Sequence, residues 1–240
     1  MARLAFLSPP STGLRASNVN YLGAARCRRK FELYYPGGFH DEVFLVAERS
    51  NKERAHLEWQ QQLGPVAMRK LLARGEYRDI ADIALRIESR ANLLFAFERM
   101  ALRDAVRTPA GARLFAHELQ GFLYGRGSLR NQFKDWRDAL DDLPRRSDRK
   151  LTWPLVTVFG FIARPDKHLF LKPRVTRKAA LAYGFDFEYQ PQPAWPVYDS
   201  LLTFAAIMRR DLDKKPGFKA RDMIDLQSFI WVQGAQEYQA

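Results

Sequence analysis

Five cations, Lys167, Lys172, Arg174, Arg177 and Lys178, crowd around Pro173, and their spacing suits anion chemistry. Proline fits the first position of a helix, so a short helix is expected from Pro173 to about Tyr183. Arg174, Arg177 and Lys178 then fall at its start. The free N–H groups of a first turn already favour anions, and arginine forks match phosphate. Cations at that end oppose the helix dipole by about 0.3 to 1 kcal/mol each. An arrangement that is unfavourable in isolation points to an external anionic partner. A second basic run, Arg145, Arg146, Arg149 and Lys150, lies in a polar connector just upstream. The expectation is one basic surface made from both runs, contacting a nucleic-acid backbone, DNA or RNA. Phosphate contacts fix position without reading sequence, so little sequence preference is expected. The competing reading is a solvated rim neutralised by neighbouring carboxylates.

Two further clusters weigh more toward that rim. Arg26, Arg28, Arg29 and Lys30 form one. Arg209, Arg210, Lys214, Lys215, Lys219 and Arg221 form the other, diluted by Asp211, Asp213, Asp222 and Asp225. Aromatic side chains in turns can stack on unpaired bases. Tyr34, Tyr35, Phe39 and Trp195 are the candidates, whereas Trp59, Trp136 and Trp231 lie on apolar helical stripes and belong to a core.

Catalytic signals are weak beside these. Cys27 has Arg26, Arg28 and Arg29 as chain neighbours, which lower a thiol pKa when they are close in space, but no His or Asn is tied to it. Glu53-x-x-His56 has the spacing used in carboxylate-bridged di-iron bundles, and no second such pair exists. His40-Asp41-Glu42 beside Gly37-Gly38 is no stronger. A metal-dependent nuclease would gather carboxylates and a lysine around Mg²⁺. Asp41, Glu48 and Lys52, or Asp166, Asp186 and Glu188, approximate that set without its spacing. No P-loop or Gly-x-Ser-x-Gly is present, so no catalytic residue, metal ligand or cofactor is assigned. Besides nucleic acid, an acidic protein is the alternative partner, which would make the chain an accessory interaction subunit.

The bulk numbers agree with a basic, folded protein. Lys and Arg total 39 against 27 Asp and Glu, a formal charge of +12, and 47% of the 240 residues are apolar. Such a surplus attracts polyanions by releasing their counterions. A chain with 17 Phe is not disordered. No run approaches the ~18 to 20 apolar residues of a membrane span, and a single Cys fits a reducing compartment. No membrane partner and a cytoplasmic location are therefore expected. The acid-poor, arginine-bearing start has a transit-peptide flavour, which Ser8-Pro9-Pro10-Ser11 interrupts.

These residues must be positioned by helices. Residues 1–17 read as an irregular arm. Val43-Phe44-Leu45-Val46 suits a short buried strand or a helix entry. Across 51–143 apolar residues recur at helical spacing: Ala55, Trp59, Leu63; Ile80, Ile83, Ala84, Ile87; Leu94, Phe97, Ala101, Ala105; Ala112, Phe115, Leu119, Phe122. Gly64-Pro65 and Thr108-Pro109 mark boundaries. Ser128 caps the strongest amphipathic stretch, through Phe133, Trp136, Leu140 and Leu143. Residues 144–150 are the candidate boundary, ahead of a mixed, mostly helical region over 151–240 that is also compatible with a single domain. There Thr152 caps a helix with Pro154 in its first turn, in preference to a strand. His168-Leu169-Phe170-Leu171 reads as a short strand, and Phe185, Phe187 and Tyr189 alternate as an extended segment would. Two helices close the chain, one through Trp195, Tyr198, Leu201, Ala205, Met208 and Leu212, the other capped by Asp222. The fold expected is mainly α, with a small β or extended element in the C-terminal third.

That third resembles a segment of uncharacterised bacterial proteins. The likeness rests on His168-Leu169-Phe170-Leu171-Lys172-Pro173, on Trp195 and Tyr198, and on Arg221-Asp222-Met223-Ile224-Asp225-Leu226-Gln227-Ser228-Phe229. It implies a bacterial origin and carries no activity, cofactor or site residue with it.

Overall fold

Every regular element in the computed structural model is a helix, among the described residues 21–144 and 151–238. The expected arm at 1–17 and the basic connector at 145–150 lie outside them. The order is α1 (Tyr21–Tyr34), α2 (Glu42–Phe44), a π-helical turn (Leu45–Arg49), α3 (Ser50–Leu63), α4 (Pro65–Ala73), α5 (Tyr77–Ala91), α6 (Ala96–Ala105), α7 (Pro109–Tyr124) and α8 (Leu129–Asp142). Then come α9 (Trp153–Ala163), α10 (Pro173–Tyr183), α11 (Trp195–Leu212) and α12 (Met223–Gly234). Short 3₁₀ turns occupy Gly38–His40 and Gln236–Tyr238.

Local chemistry accounts for most of the helix starts. Thr108 accepts from the N–H of Gly111, Ser128 from Asn131, Thr152 from Leu155, and Asp222 from Ile224 and Asp225. Each side chain thus satisfies an N–H that has no partner within its own helix. Pro65, Pro109, Pro154, Pro173 and Pro196 sit in first turns, where the missing N–H costs nothing.

Two helices are buried nearly all round and organise the rest. The first, α9, lies among α3, α5, α7 and α8; the second, α12, lies among α1, α10 and α11. One apolar core runs from Ala24 on α1 to Val232 on α12. Helices from before and after the undescribed connector therefore pack together, α3 on α9 and α1 on both α10 and α12.

The structure corrects or settles the sequence reading in three places. No strand occurs among the described residues, so the expected β element is absent. At 168–171, the His168 N–H bonds back to Arg164 O in a turn, and the Leu171 N–H donates to Thr157 Oγ1. A strand needs a second strand beside it, and only helices surround this segment. Residues 185–189 do alternate, with Phe185 buried, Asp186 and Glu188 exposed, and Phe187 and Tyr189 half-buried, but without a ladder. Second, of the two readings open at Val43 to Val46 the helical one holds, with Phe44 buried and both valines exposed. Third, α6 starts after Leu94 and turns Glu98, Leu102 and Ala105 inward, leaving Phe97 half-exposed.

Candidate nucleic-acid interface

The helix that carries the predicted cations, α10, is seated by close backbone approach. A Cβ on Gly23 of α1 would lie 2.6 Å from Tyr183 O, and one on Gly234 of α12 would lie 2.2 Å from Val175 O. Only glycine permits both contacts, so α1 and α12 hold α10 directly against its main chain. Thr176, Ala179, Ala180 and Tyr183 form the inward face, and the Tyr183 hydroxyl donates to Asp211 Oδ2 at 3.0 Å. Arg174, Arg177, Lys178 and Leu181 are left on the outward face.

That face forms one wall of an open groove of roughly 420 Å³. Residues 185–187 form the opposite wall, with Phe187 and Asp186 lining it. The Arg177 guanidinium carbon sits 5.1 Å from the centre of the Tyr189 ring, within cation–π range. Burial raises the Tyr189 hydroxyl pKa, and the Arg177 charge partly opposes this. None of Arg174, Arg177 and Lys178 forms an ion pair among the described residues, although Asp186 shares the groove. No acidic residue occupies the first turn of α10, and Lys172 supplies no side-chain cap there. The groove is therefore cationic along one side and carries Phe187 beside Asp186 on the other.

The remaining predicted residues are placed differently. Lys172 is half-buried, with its ammonium 4.9 Å from the Trp231 ring centre and 5.2 Å from that of Phe95. Burial lowers its pKa, and Glu98 and Glu237 push the other way. Lys167 is exposed in the turn after α9 and does not line the groove. Arg145, Arg146, Arg149 and Lys150 lie outside the described residues.

The other basic clusters are paired only in part, the C-terminal one through three of its cations. In the C-terminal cluster Lys214 pairs with Asp211, Lys215 with Glu32 and Arg221 with Asp225. On α1, Arg26 and Arg29 are exposed while Arg28 and Lys30 are half-buried. Cys27 between them is buried, and burial pushes its thiol up to about 11 against the opposing pull of Lys30 and Arg26. The sequence suggests an activated thiol there; desolvation reverses the sign.

The weak catalytic candidates are occupied elsewhere. Asp41 caps α2, accepting from the N–H groups of Gly37, Val43 and Phe44. Glu48 bonds Lys52 at 3.0 Å and accepts from the Tyr238 hydroxyl at 2.7 Å. Glu53 pairs with Arg49, and His56 Nδ1 bonds Ile162 O. Asp166 pairs with Arg164 at 2.8 Å. No cluster of three or more His, Cys, Asp or Glu is placed to hold a metal among the described residues. None of their helices is long and apolar enough to cross a membrane.

Of the turn aromatics expected to stack on bases, Tyr35 and Phe39 are buried in a ring cluster around Phe31. Tyr34 meets Tyr238 edge-on, and Trp195 packs on Phe133 and Tyr198. The aromatics that stand beside free cations are Phe187 and Tyr189. Their alternation with acidic residues is visible in the sequence, which reads it as an extended segment. Comparison with family models, with curated proteins and with solved structures finds no match to this chain.

Proposed function

We propose that the chain binds a nucleic-acid backbone through the outward face of α10, with little sequence preference. One observation carries this reading: Arg174, Arg177 and Lys178 are exposed along an open groove with no ion-paired carboxylate among the described residues. Exposed cations such as Arg26, Arg29, Arg69 and Lys70 also lack an ion pair among the described residues, and the α10 set is distinguished by lining a groove together. Three uncompensated charges one turn apart suit successive phosphates, and the formal charge of +12 adds long-range attraction.

A filter-binding titration against salt tests the reading. Each neutralised phosphate contributes about −0.7 to −0.9 to the slope of log K against log salt. The double variant Arg174→Ala, Arg177→Ala is expected to lose about one to two units of slope and at least about tenfold in affinity at low salt. Arg209→Ala with Arg210→Ala serves as the reference, with a much smaller loss. Equal losses in both pairs, or no retention of any nucleic acid at low salt, would remove the proposal.

A further inference from the structure

We infer that the groove beside α10 takes a single strand, with bases stacked on Phe187 and on the Arg177 guanidinium that Tyr189 backs. This rests on the backbone-binding reading above and specifies its substrate. The cations and Phe187 line the same opening, and Tyr189, just outside it, carries the Arg177 guanidinium on its ring. Arg174, Arg177 and Lys178 line one side at i, i+3 and i+4, which puts neighbouring side chains about 5 to 6 Å apart at Cβ. Arg174 and Lys178 can follow the phosphates of one strand, while Arg177 lies on Tyr189. Leu181 continues that side as an exposed apolar residue, 82% accessible, suited to sugar contact.

The opposite side has the wrong chemistry for phosphate and the right chemistry for bases. Asp186 repels phosphate from it. Phe187 and Tyr189 are half-buried, with ring centres 6.2 Å apart, so each is anchored in the core yet keeps an accessible part. Arg177 sits on the Tyr189 ring and extends the stack, since a guanidinium plane is itself a surface for bases. In a duplex, each interior base is already stacked on both faces and its edge is paired. An aromatic wall inside a groove of this size gains nothing from it. An unpaired strand offers free faces to the wall and its backbone to α10.

Fluorescence anisotropy with a labelled oligo-dT of about 20 nucleotides and a duplex of equal length tests this. The single strand is expected to bind at least about tenfold tighter. Phe187→Leu with Tyr189→Leu keeps apolar bulk and removes the rings. It is expected to weaken the single strand about tenfold while leaving duplex affinity within about twofold. Tyr189→Phe keeps the ring and is expected to retain single-strand binding. Ultraviolet crosslinking of the unaltered protein to oligo-dT avoids any folding question, with crosslinks expected at Phe187 or elsewhere in the lining of the groove. Duplex binding as tight as single-strand binding overturns the inference and leaves the charge reading standing. So does a set of crosslinks confined to other segments. Failure of both probes at low salt removes the backbone-binding reading, and this inference falls with it.

Discussion

Arg49 Nη1 lies 2.8 Å from Asp225 Oδ1, joining two buried side chains that are 176 residues apart in the chain. Arg49 ends the π-helical turn, and Asp225 lies in the first turn of α12. The arginine also forks onto Asp222 at 3.0 and 2.8 Å, and Asp225 accepts from Arg221. The Arg221 guanidinium reaches on to Phe39 O. This cluster ties the N-terminal helices to α12, which in turn seats α10.

Breaking that pair leaves a buried charge without compensation. Asp225→Ala is expected to destabilise the fold by about 3 to 5 kcal/mol. Arg49→Met combined with Asp225→Leu should cost less than the sum of the two single changes, because neither charge is then stranded. Urea unfolding of the four proteins in a double-mutant cycle measures the coupling. Additive losses would mean that the two side chains stabilise the fold independently.

The approach of α12 to α10 predicts a steric effect. In Gly234→Ala the new methyl would meet Val175 O at 2.2 Å, and a main-chain oxygen can yield only if α10 moves. Overpacking of this kind costs about 1 to 3 kcal/mol. Gly121→Ala in α7 is the control, since nothing lies within 4 Å of its Cβ position. It should be neutral or stabilising by up to about 1 kcal/mol. Urea midpoints that shift equally in the two variants would contradict the contact.

Buried His168 predicts a pH dependence. Its Nδ1 hydrogen-bonds the Tyr198 hydroxyl at 3.1 Å, and its ring lies 4.6 Å from that of Phe122. Burial, reinforced by Arg164, lowers its pKa to about 3, with Asp166 opposing and Lys167 adding to the fall. The unfolded chain takes up this proton below its ordinary value of about 6.5 while the folded chain refuses it. Stability from this group is therefore complete above pH 6.5 and is lost as pH falls toward 3. The slope approaches about 1.4 kcal/mol per pH unit within that window. His168→Gln should be less stable at neutral pH but show a flatter decline between pH 6.5 and 5. Parallel stability curves for the two proteins would rule out His168 as the source.

The sequence carries the helices because their signals are local. A Thr, Ser or Asp cap bonds an N–H two or three residues on, and stripes such as Phe133, Trp136 and Leu140 fall on one face of one helix. The groove was half legible for the same reason. Pro173 and the cations behind it predict the start of α10 and its charged outer face. The facing wall was legible as an extended segment at 185–189, but its place beside the cations of α10 was not. Lys172 likewise counts as a free cation in the chain and becomes a partner of Trp231 and Phe95 only through contacts distant in sequence.

By itself, then, the sequence determined helix content, most boundaries, net charge and the cationic face of α10, all of which depend on residues within a few positions of each other. The tertiary structure decided what no local pattern encodes. It buried Cys27 and raised its thiol pKa, drew Arg49 onto Asp222 and Asp225, laid Arg177 on the Tyr189 ring, and set Phe187 in the groove that Arg174 lines. Solvation and long-range pairing fix the properties of a charge or a ring, and both exist only once distant helices have packed.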